Sequence, residues 1–170
     1  MNFISVIIPV YNGGKTLDHC LKSVFKSSYP NFECIVVDDH STDNTAKIAE
    51  SFKTKIIRLD RQCGAAYARN RGAELANGDV FLFIDSDVTI YPDSLEKVAK
   101  TFELNPEISA LLVPMMINPD AQTFYHNTET YSITISIKLL WKMHQLSGLA
   151  VARSNEKYSL MLANSMKTAG

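Results

Sequence analysis

The sequence predicts an α/β fold with a mostly parallel sheet flanked by helices, and three observations carry that expectation. Short apolar runs of strand length alternate with segments whose apolar residues recur at helical spacing. Each run ends in polar or acidic residues followed by a helix start, the order expected of βαβ units with right-handed crossovers. The composition is that of an ordinary globular domain, 46% hydrophobic and 21% charged over 170 residues.

The first strand is expected at Ile4 to Val10, whose near-continuous apolar character suits burial on both faces. After Tyr11-Asn12-Gly13-Gly14, apolar residues at 17, 20, 21, 24 and 25 trace one helix face, and Pro30-Asn31 breaks the chain before the next strand. Phe32 to Val37 is that second strand, ending in Asp38-Asp39-His40-Ser41. Thr45, Ile48, Ala49 and Phe52 space as a helix, with Asp43 or Ser41 as N-cap. Lys55 to Leu59 is a short third strand. Gly64 then opens a small-residue helix expected to share one face among Ala65, Ala68, Gly72, Leu75 and Ala76.

Asn77-Gly78-Asp79 leads into Val80 to Ile84, a fourth strand running directly into Asp85-Ser86-Asp87. Pro92, at an early helical position, precedes a helix through Leu95, Val98, Ala99 and Phe102, and Ile108 to Val113 makes a fifth strand. Beyond Asn118 the periods mix. Tyr131 to Leu139 alternates like a strand, and the apolar span from Ile133 to Val151 is interrupted by Lys138, Lys142 and His144, which argues against a transmembrane helix. A membrane-surface or partner-facing amphipathic segment is the alternative there. Residues 155–170 read as a loose terminus.

Bulk charge restricts the partners. With 17 Lys+Arg against 18 Asp+Glu, no basic field points to nucleic acid. Cys20, Cys34 and Cys63 are an odd number without a metal-ligand spacing, which suits reduced, packed thiols in a cytoplasmic protein. The N-terminus lacks the basic region and cleavage site of a secretory leader.

In a parallel sheet the loops after successive strands gather on one edge, where ligands bind. That edge would receive residues 11–15, 38–41, 60–64 and 85–87. Asp85 and Asp87, separated by one small residue, can offer hard oxygen ligands to a divalent cation shared with a diphosphate. An acidic solvated turn is the bland alternative. Asp38 and Asp39 can accept from an imide N-H or a ribose hydroxyl. Arg69 and Arg71 point roughly 200° apart on a helix, so only one need face the edge. Gly14-Lys15-Thr16 suggests a Walker A loop, but Pro9 stands where its first glycine belongs. A receiver-type domain would want its acidic pair after the first strand.

Four blocks then resemble one family: residues 5–12 (SVIIPVYN), 35–43 (IVVDDHSTD), 64–72 (GAAYARNRG) and 83–87 (FIDSD). In order and spacing they are similar to family 2 glycosyltransferases of the GT-A fold, over about residues 3–115. The resemblance implies an inverting transferase that moves a sugar from a nucleotide sugar, uridine-linked, to a carbohydrate or lipid-linked acceptor. The expected location, from the cysteines and the late amphipathic span, is cytoplasmic, with the inner face of a membrane and peripheral association as an extension. Pro9 and Tyr11 would line the nucleotide pocket, Asp38 would contact the base with Asp39 beside it, and Arg69 or Arg71 would hold the nucleotide. Asp85, Ser86 and Asp87 match the family's Asp-x-Asp, which implies ribose contact and a Mg²⁺ or Mn²⁺ site at Asp87 and Asp85.

The match has limits. Residues 1–115 would form the nucleotide-sugar-binding core and 116–170 an abbreviated or atypical acceptor-side segment of the same domain. No general base can be matched, Glu129 and Glu156 being the weak candidates, and no Gln-x-x-Arg-Trp segment is present. A truncated or degenerate module that binds nucleotide without chemistry is the competing expectation.

Overall fold

Seven consecutive residues, Ile4–Val10, form strand β1, and every one of them is buried. The computed structural model that shows this describes residues 1–107 together with the strands at 110–113, 116–117 and 149–153. β1 is buried because it has neighbours in all directions. It pairs in parallel with β2 (Phe32–Asp38) on one side, Ile4 opposite Phe32 and Val10 opposite Asp38, and with β4 (Val80–Phe83) on the other, Ile4 opposite Val80. β3 (Lys55–Arg58) extends the parallel set beyond β2, with Arg58 opposite Asp38.

Side chains alternate across β1, which divides the core in two. Ile4, Val6, Ile8 and Val10 face α1 (Leu17–Phe25) through Leu17, Cys20, Leu21 and Val24, together with Leu95, Val98, Ala99 and Phe102 of α4 (Ser94–Leu104) and Ala49 of α2 (Thr45–Glu50). Ile7 faces the other side with Ile35 and Val37, against Ala68 and Ala73 of α3 (Ala65–Glu74). Ser5 also lies buried on that side. Its hydroxyl donates to Glu33 Oε1 at 2.6 Å and accepts from Gly78 N-H at 2.8 Å, so the polar group is satisfied.

The helices largely follow the expected periods, with three local differences. The buried face of α3 is Ala68, Gly72 and Ala73, whereas Ala65 is exposed and Leu75 is already the C-cap. Asn44, not Asp43 or Ser41, is the N-cap of α2, and Pro92 lies outside α4, whose N-cap is Asp93. Asp43 and Ser41 are engaged instead across the loops, as described below.

The larger addition concerns the sheet. Its order is β3-β2-β1-β4-β8-β6, in which β8 (Leu149–Arg153) inserts antiparallel between β4 and β6 (Ala110–Val113). The strand expected at 108–113 is therefore present at 110–113 but does not adjoin β4. A separate two-stranded sheet pairs β5 (Val88–Thr89) with β7 (Met116–Ile117) immediately after the acidic turn. The strand expected at 131–139 and the loose terminus at 155–170 lie outside the described residues.

α3 lies so close to the sheet that a Cβ on Gly72 would run into Ile7 Cγ2 and stand 3.1 Å from Val37 Cγ2. Gly72→Ala is expected to destabilise the chain by about 1–3 kcal/mol through overpacking, despite alanine's better helix propensity. Urea unfolding of the two proteins checks this, and a variant as stable as the parent would show that α3 does not approach that closely.

Candidate functional site

The parallel strands β1, β2, β3 and β4 all end on one edge of the sheet, and four loops meet there. After β1, Tyr11 is 47% exposed and Asn12 adopts the left-handed conformation, φ 51°. After β2, Asp39 N-H donates to Val10 O at 2.8 Å, which ties the second loop to the end of the first strand. Pro9, within β1 opposite Val37, is buried at the root of this rim.

The two adjacent aspartates have separate surroundings. Asp38 Oδ1 accepts Ser41 N-H at 2.8 Å, closing a tight turn that carries His40 at φ 65°. Asp38 Oδ2 is buried without a hydrogen-bond partner, and Arg58 Nε stands 3.6 Å away. Arg58 also donates from Nη2 to Ser41 O at 3.1 Å. The Asp38 side chain, to which the resemblance assigns a base contact, is thus buried beside Arg58. Asp39 uses both oxygens within the protein: Oδ1 accepts Cys63 N-H at 2.7 Å and Oδ2 accepts Gly64 N-H at 2.8 Å. The Asp39 carboxylate thereby holds the entrance to α3, where Gly64 takes φ 90°, a conformation that favours glycine.

From that anchored start α3 delivers Arg69 to the fourth loop. Arg69 Nη2 donates to Asp85 Oδ1, and the Arg69 side chain is only 14% exposed. Arg71 points elsewhere and pairs with Glu74 at 2.7 Å. Helix phase thus brings Arg69, and not Arg71, to Asp85. The Asp85 backbone is held as well: its carbonyl accepts Val88 N-H at 3.0 Å, closing the turn over Ser86 and Asp87, and Cys20 Sγ from α1 at 3.7 Å. Burial, and then the charges of Asp87 and Asp85, push the Cys20 thiol up to about 12. Both carboxylates therefore act on one thiol from nearby.

The test for a cation rests on the donor set. Among the described residues no cluster of three or more His, Cys, Asp or Glu side chains could hold a metal by itself. Asp87 is exposed beside Asp85, which has Oδ1 engaged by Arg69. One or two carboxylates at a loop edge suit Mg²⁺ or Mn²⁺ completed by phosphate and water, so the residues fit such an ion shared with a diphosphate.

Arg58 was not anticipated from the sequence, although an arginine ending a strand beside an acidic strand end is the available signal. A Cβ on Gly14 would meet Asn44 Oδ1 and stand 2.7 Å from Asp43 Oδ2, so the space is taken by the neighbouring loop. Cys63 is exposed, contrary to a packed thiol, while Cys20 and Cys34 are buried. Glu129 and Glu156 lie outside the described residues. No helix among the described residues is long and apolar enough to cross a membrane.

Comparison with known proteins places this geometry. The sequence model described as "Glycosyl transferase family 2" matches residues 5–158. Glycosyltransferase GlyG of Streptococcus pneumoniae is 37% identical over 98 residues, 55% of this chain and 33% of that protein. S. aureus TarS 1–349 in complex with UDP-GlcNAc superposes with a TM-score of 0.72 at 28% identity, covering 89% of this chain and 45% of that one. The mannosyltransferase PcManGT from Pyrobaculum calidifontis, in complex with GDP-Man and Mn²⁺, gives 0.61 at 25% identity, covering 66% and 35%. The fold is the GT-A fold of these transferases. The chain spans about a third of the length of the curated relatives it matches.

The thiols provide a direct check on burial. Only the Cys63 thiol is expected to react with a thiol reagent in the folded chain at pH 8, and all three after unfolding. Cys20 should gain reactivity only as pH approaches about 12, because its thiolate is the disfavoured form below that value. Rapid labelling of Cys20 in native protein near neutrality would contradict the packing described.

Proposed function

The chain belongs to glycosyl transferase family 2, and from that membership we propose that it binds a uridine diphosphate sugar at the four-loop edge and transfers the sugar, with inversion, to a hydroxyl acceptor. The observation that carries this reading is the meeting of Arg69 and Asp85 beside the exposed Asp87 at the carboxyl ends of the strands. TarS in complex with UDP-GlcNAc, a neighbour at 28% identity, supports a uridine-linked donor. The GDP-Man and Mn²⁺ complex of PcManGT supports a divalent ion.

In this proposal Pro9, Tyr11 and the Asp38 turn form the nucleoside side, and Asp39 sets the course of α3 rather than meeting the donor. Asp85 stands toward the ribose and steadies Arg69, whose remaining N-H donors face the diphosphate. Ser86 spaces the two acids. Asp87, with Asp85 second, would hold Mg²⁺ or Mn²⁺, which supplies positive charge to the departing diphosphate when bound. Arg71 is left out because its guanidinium is committed to Glu74.

Inversion also requires a carboxylate that takes the acceptor's proton from the face opposite the leaving group. Asp38, Asp39 and Asp85 are each engaged within the protein, which leaves Asp87 as the uncommitted acid of the pair motifs. This favours, as a second reading, nucleotide binding without turnover by the chain as given. Glu129 or Glu156 is the base to be tested under the first reading. The two-part organisation, a donor core over 1–115 and an acceptor-side segment over 116–170, is part of the proposal, as are a carbohydrate or lipid-linked acceptor and action at a cytoplasmic membrane face.

UDP at about a hundred times its dissociation constant should stabilise the chain by about 2.7 kcal/mol in the presence of Mn²⁺ or Mg²⁺. That gain is expected to vanish with EDTA or in Asp87→Ala. Stabilisation that survives in the variant would sink the metal role, and release of UDP from UDP-GlcNAc separates transferase from binder.

A further inference from the structure

Three successive backbone amides follow β1, at Asn12, Gly13 and Gly14, and all three donate to side chains of one other loop. Asn12 N-H reaches Ser41 Oγ at 2.9 Å, Gly13 N-H reaches Thr45 Oγ1 at 2.9 Å, and Gly14 N-H reaches Asp43 Oδ2 at 2.8 Å. A run of amides between a strand and a helix is an arrangement that holds a phosphate in other proteins. Here the anion is internal, because the Asp43 carboxylate takes that place.

The returning bonds complete a closed set. Thr42 N-H donates to Asn12 Oδ1 at 2.9 Å, and Thr45 N-H donates to Asp43 Oδ1 at 3.0 Å. The Thr45 hydroxyl donates to Asp43 Oδ1 while it accepts from Gly13, so its orientation is determined and both its functions are used. Thr45 is fully buried, whereas Asp43 is exposed. The Thr45 hydroxyl bond, followed by the backbone donors, holds the Asp43 carboxyl below its ordinary range, so it is charged at neutral pH.

The bonded segment carries the rim of the site. Tyr11 is exposed directly before Asn12, and Asn12 stands at φ 51°, where most residues with a side chain are disfavoured. Asparagine is among the residues that adopt this conformation most readily, and the bonds from Asn12 N-H to Ser41 and from Thr42 N-H to Asn12 Oδ1 fix its place and that of Tyr11 before it. We propose that Asp43 and Thr45 are positioning residues that lock the β1-α1 loop to the β2-α2 loop and so preorganise Tyr11 and the Asp38 turn for the nucleotide. The inference rests on the donor reading above and adds to it two residues that do not touch the donor.

The test is titration calorimetry of the full chain with UDP and Mn²⁺. Thr45→Val, which keeps the shape and removes the hydroxyl, is expected to weaken UDP binding about 10-fold, a difference of about 1.4 kcal/mol. Thr45→Ser, which keeps the hydroxyl, should remain within about 2-fold of the parent, and Asp43→Asn should weaken binding by about 3–10-fold, the order of one lost hydrogen bond. Rescue by serine distinguishes positioning from loss of packing. If Thr45→Val does not fold, the exposed Asp43→Asn carries the test alone. Parental affinity in Thr45→Val or Asp43→Asn overturns the inference, as does a serine variant as weak as valine. Absence of UDP binding by the parent chain overturns the donor reading itself, and this inference with it.

Discussion

Parallel pairing of β1 on both edges is the constraint from which the rest follows. A strand flanked by β2 and β4 in parallel sends three chain reversals to the same edge, and the register that sets Val10 opposite Asp38 brings the first two loops to one level. The continuous apolar character of residues 4–10 is a consequence of that position, since both faces are covered by helices. The acidic turn at 85–87 reaches the same edge because Ile84 N-H still donates to Ile7 O at 3.0 Å, one residue beyond the end of β4.

The site then depends on how its carboxylates are satisfied. Buried carboxylates need partners, and here they are an amide of the same turn for Asp38, two amides of the third loop for Asp39 and a guanidinium on α3 for Asp85. Asp38 turns the chain toward Ser41, Asp39 starts α3, and Asp85 meets the arginine that α3 delivers. Charge is therefore used twice, to shape the loops and to prepare the edge for a ligand. Asp87 differs because it stays exposed and uncommitted, as a group must if it is to meet a cation and a diphosphate.

Much of this was legible in residue order. The run of apolar strands and amphipathic helices specifies the parallel half of the sheet, because strand-helix alternation implies βαβ units and each element's period reports its buried face. Leu149–Arg153 was not legible as a strand. It is rich in alanine, which favours no sheet strongly, and its pairing with Val80–Phe83 joins segments some seventy residues apart. The candidate site was legible as residue types gathered on one edge, namely Asp85, Asp87 and an arginine on α3. Its wiring was not, because helix phase had to separate Arg69 from Arg71, and because Arg58 meets Asp38 only through the β2-β3 register.

The central place of β1 also bears on how the chain acquires its structure. Its second partner, β4, begins at Val80, so from synthesis of Val10 onward one hydrogen-bonding edge of a largely apolar strand stays open until some seventy further residues have emerged. Parallel pairings of such separation form slowly, and an open apolar edge is a template for pairing between chains. Interrupting the chain before residue 80 would leave the first strand half-paired and prone to aggregate, so the acidic turn that follows β4 also marks the length at which β1 has both its partners.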